Sequence, residues 1–218
     1  MTTLEHDPDA PDMNAATNPA PAAEPDLVEQ VAAALRSHKI EAIVVDTGEQ
    51  ARDLVLTMIP DGAEVHSGKS KTLEDAGLYR ELNESGRYDA IRPRMFKLDR
   101  ATQGDEIRRL TASPAFMVGS VAAVTEDGAL VAASGTGSQL GPYAVGAARV
   151  ILVVGSQKIV PDLAAAMRRI DDVVFPVEDA QVFERLGVHT ILAKVLIIYG
   201  EWNAARTTVV LVREPVGV

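Results

Sequence analysis

The residues of this 218-residue chain whose types and spacing suit chemistry gather in a few short stretches. Ser67-Gly68-Lys69-Ser70-Lys71-Thr72 follows an apolar run and opens a helical pattern. Free N–H groups at such a junction, two ammonium groups and three hydroxyls suit a phosphate or carboxylate. The stretch lacks the earlier glycine of the Walker spacing, and the alternative is a solvated connection with an ordinary cap. Gly135-Thr136-Gly137-Ser138-Gln139, with Gly141 beyond it, is a small-residue loop that lets a ligand approach backbone. It follows late, hairpin-like strands rather than opening a first βαβ unit, which argues against a dinucleotide fingerprint. Gly155-Ser156-Gln157-Lys158 closes the most hydrophobic run, Val150 to Val154. There Gly155 permits close approach, and Lys158 either neutralises an anion or starts the next loop.

Glu126 is the acidic candidate: a carboxylate beside a ligand cleft serves as nucleophile or general base. Thr125 and Asp127 flank it as candidate binding residues. Asp127-Gly128 is also a common hairpin-turn pair, a reading that needs no ligand. The four histidines, His6, His38, His66 and His189, show no metal-ligand spacing. His66 adjoins the first loop and is either a proton carrier or a structural residue. The candidate binding set is therefore Gly68, Lys69, Ser70, Thr125, Asp127, Gly135, Thr136, Gly137, Ser138, Gln139, Gly155 and Lys158, with Glu126 as candidate catalyst and no metal site.

The elements that position these residues alternate. Asp26 as N-cap with Glu29 reads as a capping box for a helix carrying Leu27, Val31 and Leu35, followed by a strand at Ala42 to Val45. Thr47 and Gln50 repeat the box before a helix through Met58, which Pro60-Asp61-Gly62 stops. Strands are expected at Ala63–His66, Tyr88–Ile91, Phe116–Val118, Val121–Thr125, Ala129–Ala133, Val150–Val154, Val173–Phe175, Val195–Tyr199 and Thr207–Val212. Helices are expected over Thr72–Glu84, Asp99–Thr111, from Pro161 through Ile170, and over Glu178–Leu186. The alternation predicts an α/β fold with a largely parallel sheet and helices on both faces. The run of short strands between Phe116 and Ala133 predicts a hairpin-like insertion that makes part of that sheet antiparallel or mixed.

Length and a 47% hydrophobic content allow one full core, read as one domain over residues 26–218. Residues 1–25, rich in Ala, Pro, Asp and Thr, are expected to form a disordered acidic tail. Six acids and no Lys or Arg fall within residues 1–26; removing those six charges from the net −10 leaves −4. That balance argues against nucleic acid as the main partner. No run approaches the roughly 20 apolar residues of a membrane span, and the N-terminus shows no targeting pattern, so a cytoplasmic protein without a membrane partner is expected. With no cysteine, the chain supplies neither thiolate nucleophile nor thiolate ligands, so no iron–sulfur cluster is expected in it.

Three motifs in order carry a resemblance to a known family. Residues 60–74 (PDGAEVHSGKSKTLE), 124–131 (VTEDGALV) and 153–160 (VVGSQKIV) resemble the LUD-domain family of lactate-utilization proteins of the LutC/YkgG type. The resemblance runs from about Asp26 to the C-terminus. It implies a NagB/RpiA/CoA-transferase-like α/β fold with a ligand cleft formed by these loops. It also implies a part in L-lactate oxidation to pyruvate beside iron–sulfur oxidoreductase subunits. Two departures are visible: Leu186 to Tyr199 holds no cysteine where some relatives are cysteine-rich, and Gly135–Gln139 replaces an Asn- or Glu-containing loop. Alternatives are an independent CoA-transferase- or sugar-phosphate-isomerase-like enzyme using Glu126, or a non-catalytic effector-binding module. In each, the partner is a small-molecule anion.

Overall fold

The computed structural model describes residues 21–218. The expected tail lies outside the described residues as far as residue 20. Ala23 already packs on the core and donates its N–H to Ser156 Oγ at 3.3 Å.

Helix α1 (Pro25–Ser37) leads into β1 (Glu41–Val45), α2 (Gly48–Met58), β2 (Glu64–Ser67), α3 (Lys71–Asp75), α4 (Leu78–Glu84), β3 (Asp89–Ala90), α5 (Ile91–Phe96) and α6 (Gly104–Ala112). Then come β4 (Phe116–Gly119), β5 (Ala123–Thr125), β6 (Leu130–Ser134), a π-helical turn (Pro142–Gly146), β7 (Arg149–Gly155), a 3₁₀ turn (Ser156–Lys158) and β8 (Ile159–Val160). Last are α7 (Leu163–Arg169), a second π-helical turn (Ile170–Val174), α8 (Phe175–Leu186), β9 (Lys194–Ile198) and β10 (Thr207–Val212).

Ten strands form two sheets among the described residues. Six pair in parallel in the order β1-β10-β7-β4-β2-β3. Four form a mixed sheet in the order β8-β5-β6-β9, with an antiparallel β5–β6 hairpin. The α/β class with a mostly parallel sheet and helices on both faces is the architecture observed. The single mixed sheet expected from the sequence is corrected: the insertion, with β9, builds a sheet of its own.

Strand periodicity explains the layers. Along β10, Val209 and Leu211 enter one apolar cluster and Val210 and Val212 the opposite one. The second cluster is closed by α2 to α4, through Val55, Leu73 and Leu78. The first is closed by α1, through Val28, Val31 and Leu35, and by the inner face of the small sheet, through Val124 and Leu130. The outer face of that sheet, Ala123 and Val131, packs against Ala166 of α7 and Ile170.

Local expectations fared unevenly. The Thr47–Gln50 capping box is present. Helix α1 instead starts at Pro25 with Glu24 as N-cap, and Glu29 reaches Arg213 rather than its own helix end. Pro161 precedes α7, whose N-cap is Asp162, with its carboxylate accepting from the Ala165 N–H at 2.7 Å. The strand expected at Val173-Val174-Phe175 is helical, because Leu163, Ala166 and Ile170 recur at helical spacing and pack on the small sheet as one stripe. Ile91 starts α5 rather than ending a strand, and α6 starts at Gly104.

Candidate functional site

Strands β7, β4 and β2 lie side by side, and their C-terminal ends are followed by Ser156–Lys158, Ser120–Ala122 and Gly68–Lys71. In open α/β sheets ligands sit at that edge. A cavity of about 890 Å³ opens there, bounded by these segments, the loop after β6, and helices α5 and α8. Its wall carries Lys69, Lys71, Arg92, Arg100, Lys158 and Arg185 against a single acidic side chain, Glu178. In a chain of net charge −10 this is a local reversal of sign.

Lys158 forms part of the cavity wall and is 4% exposed. Its ammonium donates to Thr72 Oγ1 at 2.7 Å, Ser120 Oγ at 3.1 Å and the Val121 carbonyl at 3.3 Å. Three neutral oxygens satisfy its protons without cancelling its charge. Burial, followed by the Arg169 guanidinium, pushes it down to about 7, against an opposing pull from Asp75. Arg169 itself donates to the Ala122 carbonyl at 2.7 Å and is lowered by burial to about 10.

Lys69 reaches across to α8, donating to Gln181 Oε1 at 3.1 Å and lying 3.8 Å from Glu178. Lys71 is paired with Asp75 one turn along α3. Arg92 is held by Tyr79 Oη at 3.1 Å and the Ser67 carbonyl at 3.4 Å, with no carboxylate among these contacts. His66, 3% exposed, lines the cavity with Nδ1 enclosed and unpartnered, and burial with the nearby Arg92 charge holds its imidazole down to about 4. An enclosed polar atom without a partner costs about 1–3 kcal/mol.

The floor is shaped by Tyr143, which is 1% exposed and donates its hydroxyl to the Ser120 carbonyl at 3.1 Å. Its π-helical turn is clamped by Arg206, whose guanidinium reaches the carbonyls of Pro142 at 2.7 Å, Tyr143 at 2.9 Å and Ala147 at 3.1 Å. Glu201 fixes that guanidinium at 2.6 Å and accepts from Thr207 Oγ1 at 2.5 Å. π-Helical turns of this kind recur beside functional sites.

Of the residues singled out in the sequence, Gly68, Lys69, Ser70, Gly135, Thr136, Ser138, Gln139 and Lys158 line the cavity together. Gly137 does not; it sits against the Lys194 side chain. The loop also uses its own groups: Gly137 N–H donates to Ser134 Oγ at 2.9 Å and Ser138 N–H to Thr136 Oγ1 at 3.4 Å. Gly155 is needed for packing, since a Cβ there would lie 2.6 Å from the Val216 nitrogen. Thr125, Glu126 and Asp127 are also outside the cavity lining. Thr125 and Asp127 hydrogen-bond each other, Glu126 N–H donates to the Val160 carbonyl, and Gly128 packs on the Ala34–Leu35 backbone of α1. The carboxylate singled out as catalyst thus belongs to a turn packed on a helix. Arg92, Arg100, Arg185, Ser120 and Tyr143 were missed. Only Tyr143 carried a signal, as the large ring in a run of small residues.

Comparison with known proteins agrees with the fold. The LUD domain profile matches residues 28–184, and the chain belongs to the LUD-domain family. Among solved structures it is similar to a DUF162 family protein from Deinococcus radiodurans, with a TM-score of 0.54 and 12% identity over 88% of this chain and 99% of that one. That likeness is one of fold. No curated protein sequence matches. Among the described residues, no helix is long and apolar enough to cross a membrane, and no cluster of His, Asp or Glu has metal-binding geometry.

Proposed function

We propose that this chain is an anion-binding component of organic-acid utilization in the cytoplasm, taking a small carboxylate or a phosphorylated ligand in the strand-end cavity. The observation that carries this reading is six Lys and Arg side chains facing one acidic side chain in a cavity of about 890 Å³. Pockets of that size admit cofactor-sized molecules as well as a three-carbon acid. In L-lactate oxidation to pyruvate, the role that the LUD family suggests, two electrons and two protons leave the substrate. An iron–sulfur oxidoreductase subunit is the proposed acceptor, and this chain's part is to bind and orient the anion. The cysteine-free sequence offers no thiolate to hold such a cluster itself.

Calorimetric titration of L-lactate, pyruvate, a sugar phosphate and CoA into wild type and Lys158→Met tests the reading. A charge-assisted contact is worth about 1.5–3 kcal/mol, so the variant should bind its preferred anion roughly ten- to a hundredfold more weakly. Equal affinities in both proteins, or no binding of any of the four, would overturn it.

A further inference from the structure

The cavity changes character between its cations and its mouth. Lys69 and Lys158 follow the ends of β2 and β7, and Arg92 stands near the start of α5. Phe96, Leu186 and Ile191 line the same cavity and are exposed. Single apolar side chains in water need no explanation, but three gathered on one opening mark a surface that something covers. Met95, Ile107, Val182 and Leu192, buried or half-buried, carry the apolar wall inward from them.

This rim is held in place by the fold. The Phe96 ring lies 5.2 Å from the Arg92 guanidinium, so a cation fixes it. On α8, Glu178, Gln181, Val182, Arg185 and Leu186 recur at helical spacing and turn one mixed face to the cavity. The loop after α8 is tied back to that helix, since Asp179 accepts from the Thr190 N–H at 2.7 Å and meets His189 Nδ1 at 2.8 Å. Ile191 is thereby set at the opening, with its carbonyl so close to Gly135 that a Cβ there would lie 2.8 Å away.

We infer that the cavity takes an amphiphilic anion, with its charged head among Lys69, Arg92 and Lys158 and a hydrocarbon tail against Phe96, Leu186 and Ile191. A three-carbon acid reaches the cations and leaves the apolar rim in water. The volume of about 890 Å³ falls toward the upper end of the range, about 300–1,000 Å³, that holds drug-sized ligands. A protein partner resting on the rim would cover Phe96, Leu186 and Ile191, but the apolar wall behind them would stay wet. A tail entering the cavity dries both. This inference rests on the anion-binding reading of the cavity and extends the ligand outward from its head.

The test is calorimetric titration of butanoate, hexanoate and octanoate into the full chain, at concentrations where none of them forms micelles. Each methylene added to the tail should tighten binding roughly two- to fourfold, so octanoate should exceed butanoate by at least about tenfold. Leu186→Ser combined with Ile191→Ser changes two exposed side chains, and in that variant the two acids should bind within about threefold of each other. Lys158→Met should weaken all three acids alike, and octanol, a tail without the charge, should bind far more weakly than octanoate. Three results overturn the inference while leaving the anion site intact: equal affinities across the series in wild type, which returns the rim to a protein partner; a tenfold preference surviving in the double serine variant; and a series that tightens in wild type only through binding at many sites. Octanol binding as tightly as octanoate overturns it too. Binding of none of the three acids does the same, and the lactate, sugar phosphate and CoA arms of the earlier panel then decide the cavity reading separately.

Discussion

The hydroxyl of Tyr143 occupies the space beside Gly119, so that a Cβ built on the glycine would overlap it and sit 2.9 Å from Cζ. Gly119→Ala must displace a fully buried ring and break its bond to the Ser120 carbonyl. Overpacking and the lost bond together should cost about 2–4 kcal/mol. At 2–4 °C per kcal/mol, the melting temperature falls by roughly 5–15 °C. Adding Tyr143→Phe removes the overlapping oxygen, so a double-mutant cycle should show partial rescue. Strict additivity would mean that the two residues do not meet.

Arg206 and Glu201 are only 12% and 11% exposed at their side chains. Arg206→Met leaves the Glu201 carboxylate with Thr207 as its remaining partner and frees three carbonyls of the π-helical segment. Removing one partner of a buried pair costs about 3–5 kcal/mol. Chemical denaturation should show that loss, with ligand affinity reduced through Tyr143 and Ser120. A loss below about 1 kcal/mol, the range of exposed pairs, would contradict the clamp.

Lys158 gives stability a pH dependence. Unfolded, its amine titrates near 10.5; folded, burial and Arg169 bring it down to about 7. Between those values the unfolded chain binds more protons, so this group makes stability rise with pH and fall again as pH drops toward 7. Denaturation midpoints measured from pH 7 to 9 should climb less steeply in Lys158→Met than in wild type. Parallel profiles would show that the ammonium is not strained by its surroundings.

His66 acts on the acid side. Its ordinary value of 6.5 is lowered to about 4 in the fold, so stability falls as pH drops from 6.5 toward 4. The 2.5-unit difference corresponds to about 3 kcal/mol at full development. His66→Leu should flatten this limb, and an unchanged acid limb would place the imidazole in water.

Much of the fold was legible because buried parallel strands are continuous apolar runs: β7 and β10 stand where Val150–Val154 and Thr207–Val212 predicted them. Helix entry at Thr47 was legible because capping is local chemistry. The division into two sheets was not, since β4 and β5 are separated by only Ser120-Val121-Ala122, and which partner each strand takes is decided by helices far away in sequence. Local β-propensity misread Val173–Phe175, where a helical stripe packed on the small sheet prevails. The lysines were visible because each follows a strand. Arg92, Arg100 and Arg185 come from helices or loops whose sequence gives no sign that they converge. Glu126 suited a catalyst in type, and its turn faces α1.

Residues 1–20 should be dispensable. Their Ala, Pro and acidic composition carries no apolar periodicity, and contacts to the core are already made at Ala23. A chain starting at residue 21 should melt within about 2 °C of full length, less than a 1 kcal/mol loss would produce. A drop of many degrees would show that the fold depends on residues before 21.

The chain leaves the large sheet for the small one at Ser120–Ala122 and again at Ser156–Lys158, and Lys158 bonds Ser120 and Val121 of the other crossing. Mechanically this is a hinge line with a pin through it. Prising the two sheets apart must first draw the pin.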